Sequence, residues 1–143
     1  MAKTDLPIGL RDLVRARAQN CCEYCLTAEM LSGARGEIDH VTPRARQGQS
    51  RAENLALACP ACNGHKHACT HAVDSASGKR VPLFNPRQQK WSDHFAWNLD
   101  RTEIIGLTAI GRATVAALQM NDPLIVTARA LWASIHAHPP RDL

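Results

Sequence analysis

The protein has 143 residues, 45% of them hydrophobic, which is enough apolar material for a domain with a buried core. Its 17 lysines and arginines outnumber 13 aspartates and glutamates, and the net charge of +4 indicates a mild preference for anionic partners. Aromatic residues make up only 4%, which argues against broad stacking surfaces for single-stranded nucleic acid. We see no secretory signal and no apolar run of the ~18 residues that a membrane span needs, so we expect a cytoplasmic protein without membrane contact.

The N-terminal half contains a helix followed by two short strands. Apolar residues recur at helical spacing over 8–19, with arginines between them, which predicts an amphipathic helix. Ser-Gly and Arg-Gly pairs predict a loop over 26–36. EIDHV (37–41) and LALAC (55–59) are strand candidates joined by a polar loop. A short helix is expected from Pro60, because proline loses no hydrogen bond at a helix start.

The C-terminal sixty residues predict a hairpin and two helices. Ser-Gly, Val-Pro and Asn-Pro pairs over 70–90 indicate a loop. WSDHFAW and EIIGL are expected to pair as a hairpin around NLDRT. Thr108 can cap a helix over 109–120, and the following Asn-Asp-Pro predicts a stop and a last helix to about Ala137.

Two Cys-x-x-Cys pairs predict a structural zinc site. The ligands would be Cys22, Cys25, Cys59 and Cys62. Each pair can span one edge of a tetrahedron, and four thiolates suit Zn²⁺. Cys21 could replace Cys22, although only Cys22 gives equal spacing in both pairs, and Cys69 is expected to take no part. Such a site is closed, so any chemistry must come from other residues.

Polar residues with catalytic potential follow in order along the same segment. They are Asp39, His40, Asn54, Asn63 and Lys66. If the strands pair and the helix packs across them, Asp39 and Asn63 converge, and two oxygen ligands with waters suit Mg²⁺. A neutral His40 could take a proton from water.

The loop between the strands is basic and could contact phosphate. It carries Arg44, Arg46 and Arg51, and Lys66 follows in the helix. Cationic side chains bind phosphate without reading sequence. Together with the polar residues, they suffice for metal-assisted phosphodiester hydrolysis.

The order C-x-x-C, D-H-x-x-P, E-N-L and C-x-x-C-N-x-x-K resembles the HNH endonucleases over about residues 10–68. The resemblance implies an α+β fold with a ββα-metal core and a four-cysteine zinc site. The C-terminal segment is similar to the extension of small stand-alone bacterial members. We therefore expect residues 1–80 to form a nuclease core that includes the N-terminal helix. Residues 81–143 are expected to form a hairpin and two helices that pack on this core.

The resemblance also implies a role for each polar residue. His40 would be the general base and Asp39 a ligand of the catalytic cation. Asn54 would hold the loop between the strands and help to orient His40, and Lys66 would belong to the catalytic set. Asn63 stands where many members have histidine and would be the second metal ligand.

The ligand set stays open, because His65 and His67 lie close by and a histidine ligand would favour Mn²⁺, Ni²⁺ or Zn²⁺ over Mg²⁺. We expect structural Zn²⁺, catalytic Mg²⁺ or Mn²⁺, and double-stranded DNA as the partner; the sequence indicates no oligomeric state. Two alternatives are a non-catalytic zinc module that binds nucleic acid and an interaction protein that uses its C-terminal helices. The first explains the cysteines and the basic loop, but not the ordered polar residues.

Overall fold

The computed structural model of the protein describes residues 6–139. Its helices are α1 (Ile8–Ala18), α2 (Glu29–Ser32), α3 (Pro60–Lys66), α4 (Trp91–His94), α5 (Ala109–Ala117) and α6 (Pro123–Ser134). Its strands are β1 (Glu37–His40), β2 (Leu55–Ala58), β3 (His71–Val73), β4 (Arg80–Pro82), β5 (Phe95–Trp97) and β6 (Ile104–Gly106). Within this part of the chain, no helix is both long and apolar enough to cross a membrane.

The first hairpin and the helix after it form the expected ββα unit. β1 and β2 are antiparallel, with Asp39 opposite Ala56 and His40 opposite Leu55. α3 packs against both strands and begins at Pro60, directly after the third cysteine of the two pairs. Two turns of 3₁₀-helix, 44–46 and 52–54, lie in the loop between the strands.

Strand β2 separates two apolar clusters, because successive side chains of a strand point to opposite faces. Leu55 and Leu57 pack with Val14 of α1 and its neighbours. Ala56 and Ala58 face the larger cluster, which contains the cysteines and the aromatic residues. All four β2 residues are buried, and burial of each leucine contributes roughly 1.5–3 kcal/mol.

The larger cluster includes residues from both predicted segments, 1–80 and 81–143. Tyr24 and Ala56 pack there with Phe84, Trp91 and Leu118. The division itself stays a prediction; its boundary falls at strand β4, which pairs with β3.

The expectation of a loop over 70–90 was wrong in part, since β3 and β4 form an antiparallel hairpin with His71 opposite Pro82. The turn is organised by Asp74, whose carboxylate accepts hydrogen bonds from Ala76 N and Ser77 N and pairs with the Arg112 guanidinium at 2.9 Å. The Arg112 contact, followed by that of Ser77, holds the pKa of Asp74 well below its usual range. These strands are half-buried or exposed and carry no apolar alternation, so a tertiary ion pair rather than a sequence pattern defines them.

The predicted hairpin around NLDRT is confirmed for β5 and β6, with Phe95 opposite Gly106. The preceding WSDH is not strand but the single turn α4, whose Trp91 Nε1 donates to Tyr24 O at 2.8 Å. A second short helix, α2, likewise stands in the predicted loop over 26–36. Both helices have only four residues, which is too short for a helical pattern to be visible in sequence.

Both C-terminal helices are confirmed, and each is shorter than predicted. The Thr108 hydroxyl accepts from Gly111 N at 3.0 Å and caps α5, while Asp122 accepts from Leu124 N at 3.0 Å and caps α6. α5 ends at Ala117, before Gln119 takes a left-handed φ of 51°. α6 ends at Ser134 rather than Ala137.

Helix α5 approaches α4 so closely that Gly111 cannot carry a side chain. A Cβ at Gly111 would overlap the carbonyl oxygen of His94. We expect Gly111→Ala to lower the free energy of unfolding by about 1–3 kcal/mol, as overpacking does. Gly9→Ala is the matched control, because Gly9 lies in α1 with nothing near its Cβ and should gain up to about 1 kcal/mol. Thermal or denaturant unfolding of both variants measures this, and equal stabilities would contradict the close approach.

Candidate metal cluster and catalytic pocket

The four predicted cysteines lie together. Their Sγ atoms are all within 4.8 Å of one another, at Cys22, Cys25, Cys59 and Cys62. In each pair the second cysteine's N–H points at the first sulfur, with N–S distances of 3.4 Å for both pairs. Cys21 stays outside the cluster, with its Sγ 3.4 Å from Gln19 O, and Cys69 is exposed. The choice of Cys22 over Cys21 therefore agrees with the geometry.

The clustered thiols shift one another's pKa in opposite directions. Hydrogen bonds from Cys22, Cys59 and Cys62 hold the pKa of the Cys25 thiol well below its ordinary value. Burial raises the pKa of Cys22, and hydrogen bonds with the other three cysteines raise the pKa of Cys62. A thiolate is the form that binds metal. Four clustered sulfurs, three of them buried, are a donor set that could bind zinc.

A separate pocket of about 260 Å³ lies between the end of β1 and helix α3. Asp39, His40 and Asn63 line it, together with Arg44 and His67. The structure therefore brings together one predicted base, two predicted metal ligands and one of the predicted phosphate contacts. Within residues 6–139, no second set of three His, Cys, Asp or Glu side chains clusters as closely as the cysteines do.

Asp39 is only 2% exposed, and buried donors hold its carboxylate. The Tyr24 hydroxyl donates to Oδ2 at 2.7 Å, and Lys66 Nζ lies 3.1 Å from Oδ2 and 3.3 Å from Oδ1. Burial, and then the Asp39 charge, raise the pKa of Tyr24 well above its ordinary value, so the phenol keeps its proton and acts as the donor. Tyr24 is a contact that the sequence did not indicate, because it lies 15 residues from Asp39 along the chain.

The expectation that Lys66 contacts phosphate does not fit the structure. Its side chain is 2% exposed, and Nζ also donates to the carbonyl oxygens of His40 at 3.1 Å and Val41 at 3.2 Å. A buried ammonium is stable only when it is paired and hydrogen-bonded, and Asp39 with these two carbonyls meets that need. Lys66 thus joins the end of α3 to the end of β1 instead of facing a ligand.

The imidazole of His40 is buried and contacts a serine of the basic loop. His40 Nε2 lies 2.9 Å from Ser50 Oγ, a partner that the sequence analysis did not identify. Spacing offered no indication of it, because the two residues meet only when the loop folds back on β1.

Asn54 makes the loop contacts that the sequence predicted for it. Its Oδ1 accepts from Thr42 N at 2.8 Å, and its Nδ2 donates to Thr42 O at 3.0 Å and Gln49 O at 2.9 Å. These bonds join the two ends of the loop. The loop also packs tightly at Gly48, where a Cβ would overlap the carbonyl of Thr42. Ser50 is therefore held beside His40.

Asn63 and the two nearby histidines are placed differently from one another. Asn63 Nδ2 donates to the carboxylate of Glu37, a second contact that the sequence analysis missed. Glu37 and Asp39 are two residues apart in β1 and so share one face, toward α3.

His67 lines the pocket. His65 does not; its Nδ1 lies 3.1 Å from Leu118 O, and the prediction of His65 as an additional ligand is not supported by this placement.

The three loop arginines are exposed. Arg44 lines the pocket, and Arg46 Nε donates to Ala68 O at 3.1 Å, which holds it beside the same opening. Arg51 lies at the start of the 52–54 turn and is not among the pocket residues. Two of the three are thus placed where a phosphate at the pocket would lie.

The cysteine geometry generates a first prediction for the site. We expect zinc at this cluster, so Cys22→Ser should lower the zinc content and unfold the core, because metal binding to a structural site contributes directly to folding. The neighbouring Cys21→Ser is the matched control and should retain the metal, since Cys21 is buried but lies outside the cluster. Elemental analysis and circular dichroism of both variants measure this. Equal metal contents would show that Cys22 is not a ligand.

Comparison with known proteins supports the family that the motif indicated. Residues 22–68 match the HNH endonuclease family. Searches of curated proteins and of solved structures found no significant match. The matched stretch contains all four clustered cysteines and the residues from Asp39 to Lys66 that surround the pocket. The family match therefore covers the ββα unit together with the four clustered cysteines.

Proposed function

We propose that the protein is a metal-dependent endonuclease that hydrolyses phosphodiester bonds in double-stranded DNA. The observation that carries this proposal is the convergence of Asp39, His40 and Asn63 on one pocket inside the HNH domain. Exposed Arg44 lies at the same pocket, and its guanidinium would bind phosphate beside the proposed base and the proposed oxygen ligands.

In this proposal the cysteine cluster holds Zn²⁺ as a structural ion. Four sulfurs fill a tetrahedral coordination sphere and leave no position for water. Zinc in the cluster would therefore join the Cys22–Cys25 loop to the start of α3 without taking part in the reaction.

Asp39 and Asn63 would hold a Mg²⁺ or Mn²⁺ ion, and His67 is the further side chain at the pocket that could join them. The cation bound there would stabilise the charge that develops on phosphate. The Glu37 carboxylate accepts from Asn63 Nδ2, so the amide nitrogen of Asn63 faces Glu37 and its amide oxygen is directed away from Glu37.

His40 would act as the general base that removes a proton from the attacking water. When Nε2 carries the ring proton and donates it to Ser50 Oγ, Nδ1 is the nitrogen with the lone pair. Ser50 therefore orients the ring, and its hydroxyl can serve either tautomer because it both donates and accepts. Asn54 supports this arrangement indirectly, because it holds the loop that carries Ser50.

The loop arginines would contact the backbone phosphates on either side of the scissile bond. Arg44 and Arg46 are exposed at the pocket, and such contacts do not depend on base sequence.

The test of the base is His40→Ala. Nicking of plasmid DNA in the presence of Mn²⁺ should fall by about 10² to 10⁴, the usual effect of general-base catalysis. The matched control is His94→Ala, since His94 is half-buried and bonded to Thr108 Oγ1 in the C-terminal part, and its loss should cost stability but not the catalytic rate. Zinc content and DNA affinity are measured on the same preparations. Unchanged nicking in His40→Ala would exclude this mechanism, and DNA binding by the parent without metal-dependent nicking would favour the non-catalytic module.

The contact between Ser50 and His40 predicts a second, smaller effect. Ser50→Ala should lower the nicking rate by about tenfold to 10²-fold, because a base that is slightly misplaced loses much of its advantage. DNA affinity should stay unchanged, since Ser50 contacts His40 rather than the surface arginines. Ser134→Ala, which removes a hydroxyl bonded within α6, is the control. Equal rates for the parent and both variants would remove Ser50 from the mechanism.

A further inference from the structure

One side chain joins the cysteine cluster directly to the catalytic pocket. Tyr24 lies between Cys22 and Cys25, has no exposed surface, and donates its hydroxyl to Asp39 Oδ2 at 2.7 Å. The backbone of the same residue accepts from Trp91 Nε1 at 2.8 Å. Tyr24 is therefore fixed both at its backbone, by Trp91, and at its hydroxyl, by Asp39.

We propose that Tyr24 is a positioning residue for the divalent-cation site, through which the metal-bound cysteine loop sets the orientation of the Asp39 carboxylate. The inference rests on the proposed function, because it takes Asp39 as a ligand of the catalytic cation. It gives the cysteine cluster a role beyond holding the fold together.

The hydrogen-bond geometry assigns the directional restraint to Tyr24 rather than to Lys66. Lys66 Nζ is nearly equidistant from the two carboxylate oxygens, at 3.1 and 3.3 Å, and an ammonium group is a point charge that tolerates rotation of its partner. Tyr24 contacts one oxygen only, at a shorter distance, and from a rigid ring. Its bond is made to Oδ2 alone, so we assign the cation to Oδ1, whose only contact in this group is the longer one of 3.3 Å to Lys66.

The packing of the ring and the bond of the hydroxyl are separable. The ring belongs to the larger apolar cluster, where it packs with Ala56 and Phe84, among others. Phenylalanine would fill nearly the same volume, so Tyr24→Phe removes the Asp39 contact with little change in packing. The variant leaves a carboxylate that still pairs with Lys66 but has lost its directional donor.

The first test measures cation affinity without any reaction. Binding of Mn²⁺ to the full-length, zinc-containing protein is followed by electron paramagnetic resonance, and Asp39→Ala defines the part of the binding that belongs to this site. We expect Tyr24→Phe to weaken that binding by about 10- to 100-fold, the usual cost of removing a group that orients a metal ligand. Zinc content should not change.

The matched control is Thr114→Val. Thr114 Oγ1 is a buried hydroxyl that donates to Ile110 O at 2.7 Å and accepts from Phe84 N at 2.9 Å, within the C-terminal part. Its removal should lower stability and leave Mn²⁺ affinity unchanged. Equal Mn²⁺ affinity in the parent and a folded Tyr24→Phe variant would overturn the proposal.

A second test needs no substitution at Tyr24. Tyr24 is the single tyrosine of the chain, so incorporation of fluorotyrosine yields one ¹⁹F resonance that reports this residue alone. Addition of Mg²⁺ should shift this resonance in the parent and leave it in place in Asp39→Ala. An unshifted resonance in the parent at saturating Mg²⁺ would overturn the proposal even where Tyr24→Phe does not fold.

The two proposals fail differently. Mn²⁺ binding that depends on Asp39 and Tyr24, without nicking of plasmid DNA, would overturn the hydrolytic function and support the role of Tyr24. Metal-dependent nicking with unchanged Mn²⁺ affinity in Tyr24→Phe would support the function and overturn the role of Tyr24.

Discussion

The constraint on which the rest of this structure depends is the meeting of four cysteine sulfurs within 4.8 Å, because it joins a loop near residue 23 to a helix that starts near residue 60. The loop is also fastened to β2, since Glu23 N donates to Leu57 O at 2.8 Å and the Glu23 carboxylate accepts from Leu57 N at 2.9 Å. With the loop in this place, Tyr24 contacts Asp39 of β1, and α3 packs across the hairpin. The pocket is the space between the end of β1 and α3.

The interior of the site is a chain of buried polar groups rather than an apolar core. Tyr24, Asp39 and Lys66 are each at most 2% exposed, and each finds its partner in another of the three. An isolated buried charge would be expensive, so removal of one member leaves the others unpaired. The small side chains of Ala56 and Ala58 on the same face of β2 leave space for the tyrosine ring. The geometry of the pocket and the stability of the fold therefore depend on the same contacts.

Much of the ββα unit and both C-terminal helices were predictable, because their sequences are locally consistent. The Leu-Ala-Leu-Ala strand, the proline at the start of α3, and the Thr108 and Asp122 caps each follow a local rule, and each occurs in the structure. The β3–β4 hairpin and α4 were missed because distant residues hold them. The hairpin depends on the Asp74–Arg112 pair, whose members are 38 positions apart in the chain. Helix α4 depends on the Trp91–Tyr24 bond, whose members are 67 positions apart. No local pattern marks such partners in advance.

The same distinction holds for the site. The sequence by itself determined which residues are available: two cysteine pairs of equal spacing, an Asp-His pair at a strand end, and an asparagine one residue after the last cysteine. Only the tertiary structure decided how they are used. It buried Lys66 against Asp39, directed His65 toward Leu118, and brought Tyr24, Ser50 and Glu37 to the side chains of Asp39, His40 and Asn63, respectively. The physical reason is that ligand spacing is a local property of the chain, whereas burial and hydrogen-bond partners depend on which surfaces meet when the chain folds.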